Sequence, residues 1–434
     1  MIKRWLFFLS VAVVAGMAGL VESGSKDVMI DVTRPDFEKI PVGLLGFRAV
    51  APLDRSADQM ADVVRADLNR SQLFHVVDTA KFGVKLNGDL EKNVGQLKSL
   101  TDNGVSVVLW GNMAPRDADL VMEGYVFDGS EEVFGKRYAG NASALRLMAH
   151  RLADELVNRY TGEPGIARTK IAYVSQKGRT RELYVMDYDG FAPRQITFDG
   201  FLNLMPRWSP DRRSLVYASY REDRTKQELH MIQLETGRRD VLISHPSLNM
   251  TPAISPDGTR LAFSSSREGN TEIHVFDPKT KAMSQLTVHP AGDLSPAWSP
   301  TGQEIVFTSD RSGRPQLYIM NADGSNVRRL TYEGDYNAAP AWSPRGNWIA
   351  YVCRTEGSHF KLCVISPDGQ KRKQLTTGSS LDDSPSWSPD GRHVTFSSLI
   401  DGKSHIYLIH SDGTGLEPLT SGNAHDSDPT WSPA

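Results

Sequence analysis

Two pairs of closely spaced carboxylates are the residues of this 434-residue chain best suited to chemistry. They are Asp382 with Asp383 and Asp426 with Asp428. Carboxylate oxygens of both pairs suit a hard cation such as Ca²⁺, and Asp382 with Asp383 are the candidates for the exposed paired carboxylates that glycan cleavage requires. Aspartate is equally suited to begin a solvated turn. We favour the turn interpretation, so no metal and no cofactor is expected.

Motifs that would supply a nucleophile, a phosphate-binding loop or a redox centre are absent from the sequence. It contains no Gly-x-Ser-x-Gly elbow. It also lacks a Walker loop, a dinucleotide fingerprint, a His-Glu-x-x-His and a Cys-x-x-Cys. The net charge of −3 gives no electrostatic reason to expect nucleic acid as a partner. These absences favour a non-enzymatic protein that acts by binding.

An internal repeat organises the larger part of the chain. Each copy opens with Pro-x-Trp-Ser-Pro and continues as four short strands separated by tight turns such as Ser255–Gly258. The copies begin at Pro206, Pro252, Pro296, Pro340, Pro385 and Pro429, and Ile254 takes the Trp place in the second. Their spacing of about 44 to 46 residues is near the length of a β-propeller blade. Each Trp is expected to pack between neighbouring blades.

The two ends of the repeat region complement each other. The second-strand pattern begins six times, at Ile171, Leu215, Leu261, Ile305, Ile349 and Val394. The first of these has no Pro-x-Trp strand before it, and the last Pro-x-Trp strand, at Pro429, has no second strand after it. We therefore predict a six-bladed β-propeller over residues 166–434, with one blade completed by both chain ends and no free sheet edge.

The preceding region, residues 35–163, is predicted to be a small α/β domain. Helical spacing of apolar residues predicts helices over Ala57–Phe74 and Ala144–Tyr160. Strands are predicted at Pro41–Phe47 and Val105–Trp110, followed by a hairpin of Leu120–Asp128 and Glu132–Tyr138. The Gly/Pro-rich stretch Thr161–Gly165 marks the domain boundary.

The first residues are typical of a secretory signal peptide. Lys3 and Arg4 precede an apolar run from Trp5 to Leu20, and small residues accumulate up to Ser25. We predict a signal peptide over residues 1–25, with an uncleaved anchor as the alternative, and an extended segment over residues 26–34. The remaining chain is expected to be exported and not inserted in the membrane.

The sequence resembles the TolB family, whose members are the periplasmic component of the Tol–Pal envelope system. The resemblance rests on the strand Pro41–Phe47, the closing helix around Ala149–Asp154 and the junction Thr161–Val174, in this order after a signal peptide. Departures are Ile254 in place of a Trp and Arg212 in place of a turn glycine. The resemblance implies a periplasmic monomer that binds the lipoprotein Pal at the mouth of the propeller and TolA through its N-terminal segment. It further implies a role in outer-membrane integrity and cell division.

The contact residues follow from this resemblance. In the loops that lead into the Pro-x-Trp strands, the candidates for Pal are Asn203, Leu204, Met205, Asn249, Met250, Thr251, Leu294, Ser295, Ala338, Ala339, Asp383, Ser384, Ser427 and Asp428. The candidates for TolA are Asp27, Val28, Met29, Ile30, Asp31, Val32 and Thr33, which would add as a strand to a sheet edge of TolA. The alternatives are turn-forming residues in the first set and a disordered leader in the second. Other functions that fit a propeller are a hydrolase of the prolyl-oligopeptidase type and a glycan-binding propeller.

Arginines and cysteines complete the set of candidate residues. Arg221, Arg267, Arg311 and Arg354 recur after the second strand. They could form a basic rim, but we favour ion pairs with Asp or Glu of adjacent blades. The two cysteines, Cys353 and Cys363, lie on adjacent strands, and an exported protein permits them to pair. A hairpin centred on Gly357 would place Cys353 opposite Lys361, so we favour two free, buried thiols.

Overall fold

The computed structural model describes residues 37–49, 53–84, 94–128, 131–220, 226–354 and 359–434. The predicted signal peptide, the N-terminal segment 26–34 and Arg221 lie outside these ranges. Within them, no helix has both the length and the apolar character needed to cross a bilayer.

The N-terminal part of the described chain is an α/β domain built on a five-stranded sheet in the order β2-β1-β3-β4-β5. Parallel pairing joins β1 to β2 and β3, and antiparallel pairing joins β3, β4 and β5. Its elements are β1 (Ile40–Ala49), α1 (Asp54–Arg70), β2 (Phe74–Val77), α2 (Val94–Asp102), β3 (Val107–Arg116), β4 (Asp119–Asp128), β5 (Glu131–Gly140) and α3 (Leu145–Thr161).

The helices of this domain cover both faces of the sheet. α1 and α3 share one core with the sheet because their apolar residues recur at helical spacing, as Met60, Val64 and Leu68 do in α1. Leu97 and Leu100 of α2 pack on the other face. The predicted helix over Ala57–Phe74 is present, but it starts at Asp54 and stops at Arg70, since Phe74 begins β2.

The repeat region folds as a β-propeller. Its strands are β6 (Lys170–Lys177), β7 (Thr180–Asp187), β8 (Arg194–Gln195), β9 (Leu202–Trp208), β10 (Ser214–Tyr220), β11 (Glu228–Gln233), β12 (Arg239–Ile243), β13 (Asn249–Ile254), β14 (Leu261–Ser265), β15 (Glu272–Phe276), β16 (Met283–Gln285), β17 (Asp293–Trp298), β18 (Glu304–Ser309), β19 (Gln316–Asn321), β20 (Arg328–Arg329), β21 (Tyr336–Trp342), β22 (Ile349–Arg354), β23 (Lys361–Ile365), β24 (Arg372–Gln374), β25 (Leu381–Trp387), β26 (His393–Ile400), β27 (Lys403–His410), β28 (Glu417–Pro418) and β29 (His425–Trp431).

These strands form four separate four-stranded sheets and one eight-stranded sheet. The separate sheets are β13–β16, β17–β20, β21–β24 and β25–β28, each antiparallel in chain order. The eight-stranded sheet contains β29, β6, β7 and β8 on one side and β9–β12 on the other. A single parallel residue pair, Arg181 with Leu202, joins its two sides.

The two ends of the propeller region pair with each other. β29 runs antiparallel to β6, with Trp431 opposite Ile171 and Thr430 opposite Ala172. Beyond the ladder, the backbone N–H of Ser432 donates to the carbonyl oxygen of Lys170 at 2.8 Å. The expected joining of sequence near Ile171 to sequence near Trp431 in one sheet is therefore present.

Tryptophans of the repeat motif bind the preceding repeat. Nε1 of Trp208 donates to the carbonyl oxygen of Thr430, and Nε1 of Trp298 donates to that of Ala253, both at 3.0 Å. Trp387 makes the same bond to Ala341 at 3.0 Å. The rings of Trp208, Trp298 and Trp387 thus lie buried between neighbouring sheets with their one polar atom satisfied, as predicted. Trp342 differs, because it is half-buried and its Nε1 donates to the carbonyl oxygen of Gly346 in its own turn at 3.4 Å.

The prediction of two free thiols is wrong, because Cys353 and Cys363 form a disulfide. The strand register itself is as expected, with Cys353 opposite Lys361 and Cys363 opposite Tyr351. The two cysteines are therefore diagonal neighbours on one face of the hairpin. Their Cα atoms are 5.9 Å apart, within the range that a disulfide spans. Strand twist shortens one diagonal of an antiparallel pair, which the flat register diagram does not show.

Candidate functional site: the mouth of the propeller

The first strand of every repeat contains a β-bulge where the Pro-x-Trp motif begins. In β9, for example, Met205 and Pro206 together lie between the pairs Leu204–Ala218 and Arg207–Val216, opposite one residue of β10. The same shift occurs in β13, β17, β21, β25 and β29. Proline is tolerated at a bulge because it has no N–H to contribute to the ladder.

The residue before each of these prolines is held at positive φ. These residues are Met205, Thr251, Ser295, Ala339, Ser384 and Asp428, with φ between 49° and 56°. None is a glycine, and the left-handed region costs other residues about 1–2 kcal/mol each. The same strain at one position of all six repeat motifs is typical of a place where side chains are redirected toward a site. We call these six residues the collar.

The collar lines a cavity of about 580 Å³. Residues from β9, β13, β17, β21, β25 and β29 all contribute to its wall, so the cavity lies where the first strands converge. Ten of the fourteen predicted Pal-contact residues line it: Met205, Met250, Thr251, Leu294, Ser295, Ala338, Ala339, Asp383, Ser384 and Asp428. Asn203, Leu204, Asn249 and Ser427 are not part of the wall.

The asparagines at the start of these strands are buried and tie each repeat to the preceding one. Asn203 and Asn249 have exposed fractions of 0% and 1%. Nδ2 of Asn203 donates to Oε2 of Glu182 at 3.1 Å, and Nδ2 of Asn249 donates to the carbonyl oxygen of Gln227 at 2.9 Å. Their side-chain amides form hydrogen bonds inside the propeller and are not available to a partner. The candidates for a contact surface are therefore the residues that follow them, such as Met250 and Thr251.

The two carboxylate pairs do not converge on one point. Asp382 is buried, where Oδ2 accepts from Thr376 Oγ1 and Oδ1 accepts from Ser398 Oγ, both at 2.6 Å. Asp426 is also buried. Of these four carboxylates only Asp383 and Asp428 line the cavity, and Asp310 is a third aspartate in its wall. In the described part of the chain, no three metal-ligating side chains come together.

Charge is unevenly distributed around the cavity. Asp383, Asp428 and Arg207 lie on the neighbouring strands β25, β29 and β9. The surrounding protein and the charge of Asp428 raise the pKa of Asp383 to about 6. Oγ of Ser384 donates to Oδ1 of Asp428 at 3.1 Å. The strands β13, β17 and β21 supply Met250, Thr251, Leu294, Ser295, Ala338 and Ala339, and Asp310 after β18 is the charged residue on that side.

Among the wall residues that the sequence prediction missed are Arg207, Asp310 and Tyr336. The signal for Arg207 was available, because it occupies the x position of a Pro-x-Trp motif that holds small residues in the other copies. Burial and the charges of Asp383 and Asp310 raise the pKa of Tyr336. Among the described wall residues there is no histidine, cysteine or lysine. The wall therefore offers apolar contact and hydrogen bonds.

The recurring arginines form ion pairs rather than a free basic rim. Arg311 donates to Asp293 at 2.7 Å, and Arg354 donates to Asp335 at 2.9 Å. Arg267 lies 3.3 Å from Glu268. The preference for pairing is thus confirmed for these three, but the partner belongs to the same repeat or its entering loop, not to an adjacent blade.

The α/β domain contacts the propeller at the other end of the first strands. Arg345 and Arg392, in the turns that follow β21 and β25, both pair with Glu163, at 2.6 Å and 3.2 Å. Nε2 of His393 bonds the carbonyl oxygen of Arg70 at 2.8 Å. The collar therefore opens on the face away from the α/β domain.

A buried polar group holds the two domains together. Asp67 of α1 accepts from Nδ1 of His150 at 2.7 Å and from Oη of Tyr188 at 2.5 Å. All three side chains are at most 4% exposed. Arg70 lies over the ring of Tyr188 at 5.2 Å and pairs with Glu417 at 2.8 Å. An Asp–His pair enclosed in this way has no room for a substrate, so it serves domain docking.

The fold and the mouth define a β-propeller with an N-terminal α/β domain and a cavity at one end of its first strands. The family model of the TolB beta propeller domain matches residues 157–434, and that of the TolB amino-terminal domain matches residues 28–130. The chain therefore belongs to the TolB family.

Individual relatives agree with this assignment. The chain is 32% identical over 258 residues to the Tol-Pal system protein TolB of Desulfosudis oleivorans, and the alignment covers 57% of each chain. The crystal structure of TolB from Acinetobacter baumannii superposes with a TM-score of 0.79 at 26% identity, covering 92% of this chain and 98% of that one. A chain of the nidogen/laminin complex, at 10% identity and a TM-score of 0.50 over 61% of this chain and 98% of that one, shares the fold alone.

Proposed function

We propose that this chain is a periplasmic, non-enzymatic interaction scaffold of the Tol–Pal system. It binds Pal at the collar and TolA through Asp27–Thr33, and in this way supports outer-membrane integrity and cell division. The observation that carries the proposal is the collar, six strained non-glycine residues around a partly apolar cavity. Strain that recurs at the same place in every repeat is explained by binding and not by stability.

The proposal includes a ring of six blades. The strands β29, β6, β7 and β8 repeat the order of the four separate sheets, and so do β9–β12. One residue pair, Arg181 with Leu202, connects the two sets, which is a weak link beside the full ladders within each set. Counting the two sets as blades gives six around the cavity.

The mouth is tested by calorimetric titration of the purified chain with the soluble domain of Pal. Met250→Trp and Leu294→Trp place bulk in the wall of the cavity, and we expect each to weaken binding by about tenfold or more, as interface-centre changes do. Val327→Trp is the matched control, since Val327 is an exposed apolar residue outside the cavity. If the unmodified chain and the three variants bind Pal with equal affinity, the mouth of the propeller is not the Pal-binding site.

The N-terminal segment is tested separately. A variant lacking residues 26–33 should no longer retain TolA in a pull-down, because the added strand that supplies backbone pairing is gone. The same variant should still bind Pal with unchanged affinity, which shows that it is folded. Normal retention of TolA by this variant would remove the segment from the proposal.

A further inference from the structure

Among the residues that the structure describes, the cavity wall holds one cation, Arg207, and no described carboxylate pairs with it. The x position of the Pro-x-Trp motif faces the cavity in all six motifs, and it holds Arg207, Ala253, Ala297, Ala341, Ser386 and Thr430. Five of these are small and uncharged. Arg207 is the exception.

The described surroundings of Arg207 leave its guanidinium largely unsatisfied. Nη1 donates to the carbonyl oxygen of Pro206, its own neighbour, at 2.8 Å. Among the described residues, no carboxylate lies within the 4.0 Å of an ion pair. Burial lowers the pKa of Arg207, and the more distant charge of Asp428 opposes this in part.

The arginines of two other repeats show how this propeller stabilises a cation for structural reasons. Arg311 binds the buried carboxylate of Asp293 at 2.7 Å, and Arg354 binds Asp335 through two nitrogens at 2.9 and 3.0 Å. A charge surrounded by protein is costly unless it is paired. Arg207 bears this cost inside the cavity, where an incoming group can reach it.

We propose that Arg207 is the receptor for a carboxylate of the protein that docks at the mouth, an inference that rests on the function proposed above. A guanidinium presents five N–H donors in a planar fork that matches a carboxylate, and the fork of Arg207 is mostly free. Asp383 and Asp428 nearby disfavour a doubly charged anion such as phosphate. The flanking apolar wall of Met205, Met250 and Leu294 fits an Asp or Glu side chain set among apolar residues of an inserted segment.

The substitution Arg207→Ala separates this role from a structural one. It introduces the residue that three other repeats carry at this position, so the propeller should fold. Removal of an unpaired cation should leave the Tm of the free protein unchanged or raise it. In calorimetry the affinity for soluble Pal should fall at least ~30-fold, the scale expected when one partner of a buried charge pair is lost. Arg207→Lys keeps the positive charge but not the planar guanidinium, so its affinity for soluble Pal should lie between that of the unmodified chain and that of Arg207→Ala.

Arg311→Ala is the matched control. It removes an arginine from a corresponding repeat, but this one is paired and lies outside the cavity wall. We expect it to lower the Tm by leaving Asp293 unpaired and to leave the Pal affinity of the folded protein unchanged. If Arg207→Ala instead lowers the Tm as Arg311→Ala does, or keeps full affinity for Pal, the receptor role is overturned.

A second probe keeps the inference independent of Pal. Failure of the unmodified chain to bind Pal would overturn the proposed function. In that event N-acetyl-glutamate N-methylamide is titrated into the unmodified chain while the arginine Nε–Hε NMR signals are followed. A saturable shift of the signal that Arg207→Lys removes would support a carboxylate receptor. The lack of any such shift would overturn it.

Discussion

At the scale of single residues, Asp154 connects the two domains. It lies in α3, buried, and its Oδ1 accepts the backbone N–H of Ala167 at 2.9 Å while Oδ2 accepts Nε of Arg168 at 2.7 Å. Gly165 passes so close that a Cβ there would lie 2.1 Å from Oδ1 of Asp154 and 2.7 Å from its Cα. The junction therefore has a fixed geometry and does not behave as a flexible linker.

Gly165→Ala should disrupt this junction. The new methyl group displaces the Asp154 carboxylate from Ala167 and Arg168, leaving a buried charge short of its hydrogen bonds, so we expect a loss of about 2–4 kcal/mol in the free energy of unfolding. Chemical denaturation followed by circular dichroism measures it. Gly95→Ala is the control, because a Cβ there meets nothing within 4 Å and alanine favours a helix. Equal stability of the two variants would contradict the role assigned to the junction.

At the scale of elements, the end of α1 meets the propeller through a histidine that must be neutral. After α1, Gln72 adopts φ 65° and its Nε2 donates to Nε2 of His410 at 2.8 Å. An amide nitrogen only donates, so Nε2 of His410 is the acceptor, and its Nδ1 bonds Oγ1 of Thr414 at 3.0 Å. Burial, and then the charge of His393, lower the pKa of His410 to about 4.

Acid should therefore weaken the docking of the two domains. The pKa of His410 is depressed in the folded protein, so the unfolded state takes up the proton first and stability falls as the pH drops from about 6.5 to about 4. His393 and Lys39 oppose protonation, while Asp412 and Glu417 favour it. We expect a loss on the order of 2 kcal/mol across this window, discounted for partial exposure.

Thermal unfolding at several pH values measures this effect. His410→Gln keeps an acceptor for Gln72 without a titrating group, so its Tm should depend less on pH between about 6.5 and about 4. His425→Gln, at an exposed histidine of β29, should keep the original dependence. If the two variants show the same slope, His410 is not the group responsible.

The elements of this fold were predictable from the sequence to different degrees. Periodicity located the helices through the spacing of their apolar residues, and it located the strands through a motif that recurs at blade spacing, with Ile254 in place of one Trp. The bulges could not be predicted from the alternation of apolar and polar residues along one strand. A bulge places two residues opposite one residue of the partner strand, so it is defined only when the two strands are paired. The sequence also predicts Asn203 and Asp382 in loops. They lie instead in β9 and β25, where their side chains form hydrogen bonds to polar groups inside the propeller. The disulfide could not be predicted because it depends on the distance between Cys353 and Cys363, which are diagonal neighbours on paired strands, and the order of the strands does not give this distance.

At the scale of the whole molecule, residues 425–434 join the two ends of the propeller region. The strand β29 completes the sheet of β6, and three further bonds secure it. Nε1 of Trp431 donates to Oγ1 of Thr169 at 2.8 Å, and Ser432 exchanges two hydrogen bonds with Lys170, at 2.8 and 3.0 Å. Nε1 of Trp208 also depends on β29, because its acceptor is the carbonyl oxygen of Thr430.

A chain that ends at Ala424 should therefore lose much more than one strand. The edge of β6 becomes free to pair with other chains, Trp208 loses its acceptor, and the sheets at both ends of the propeller region lose a packed neighbour. We expect a broad, less cooperative thermal transition at lower temperature and self-association, measured by calorimetry and by light scattering after size exclusion. A chain that ends at Ser432 keeps every bond named above and should unfold like the full chain. Should the shorter chain remain monomeric with an unchanged Tm, closure by the two ends does not stabilise this propeller, and the argument for a ring fails with it.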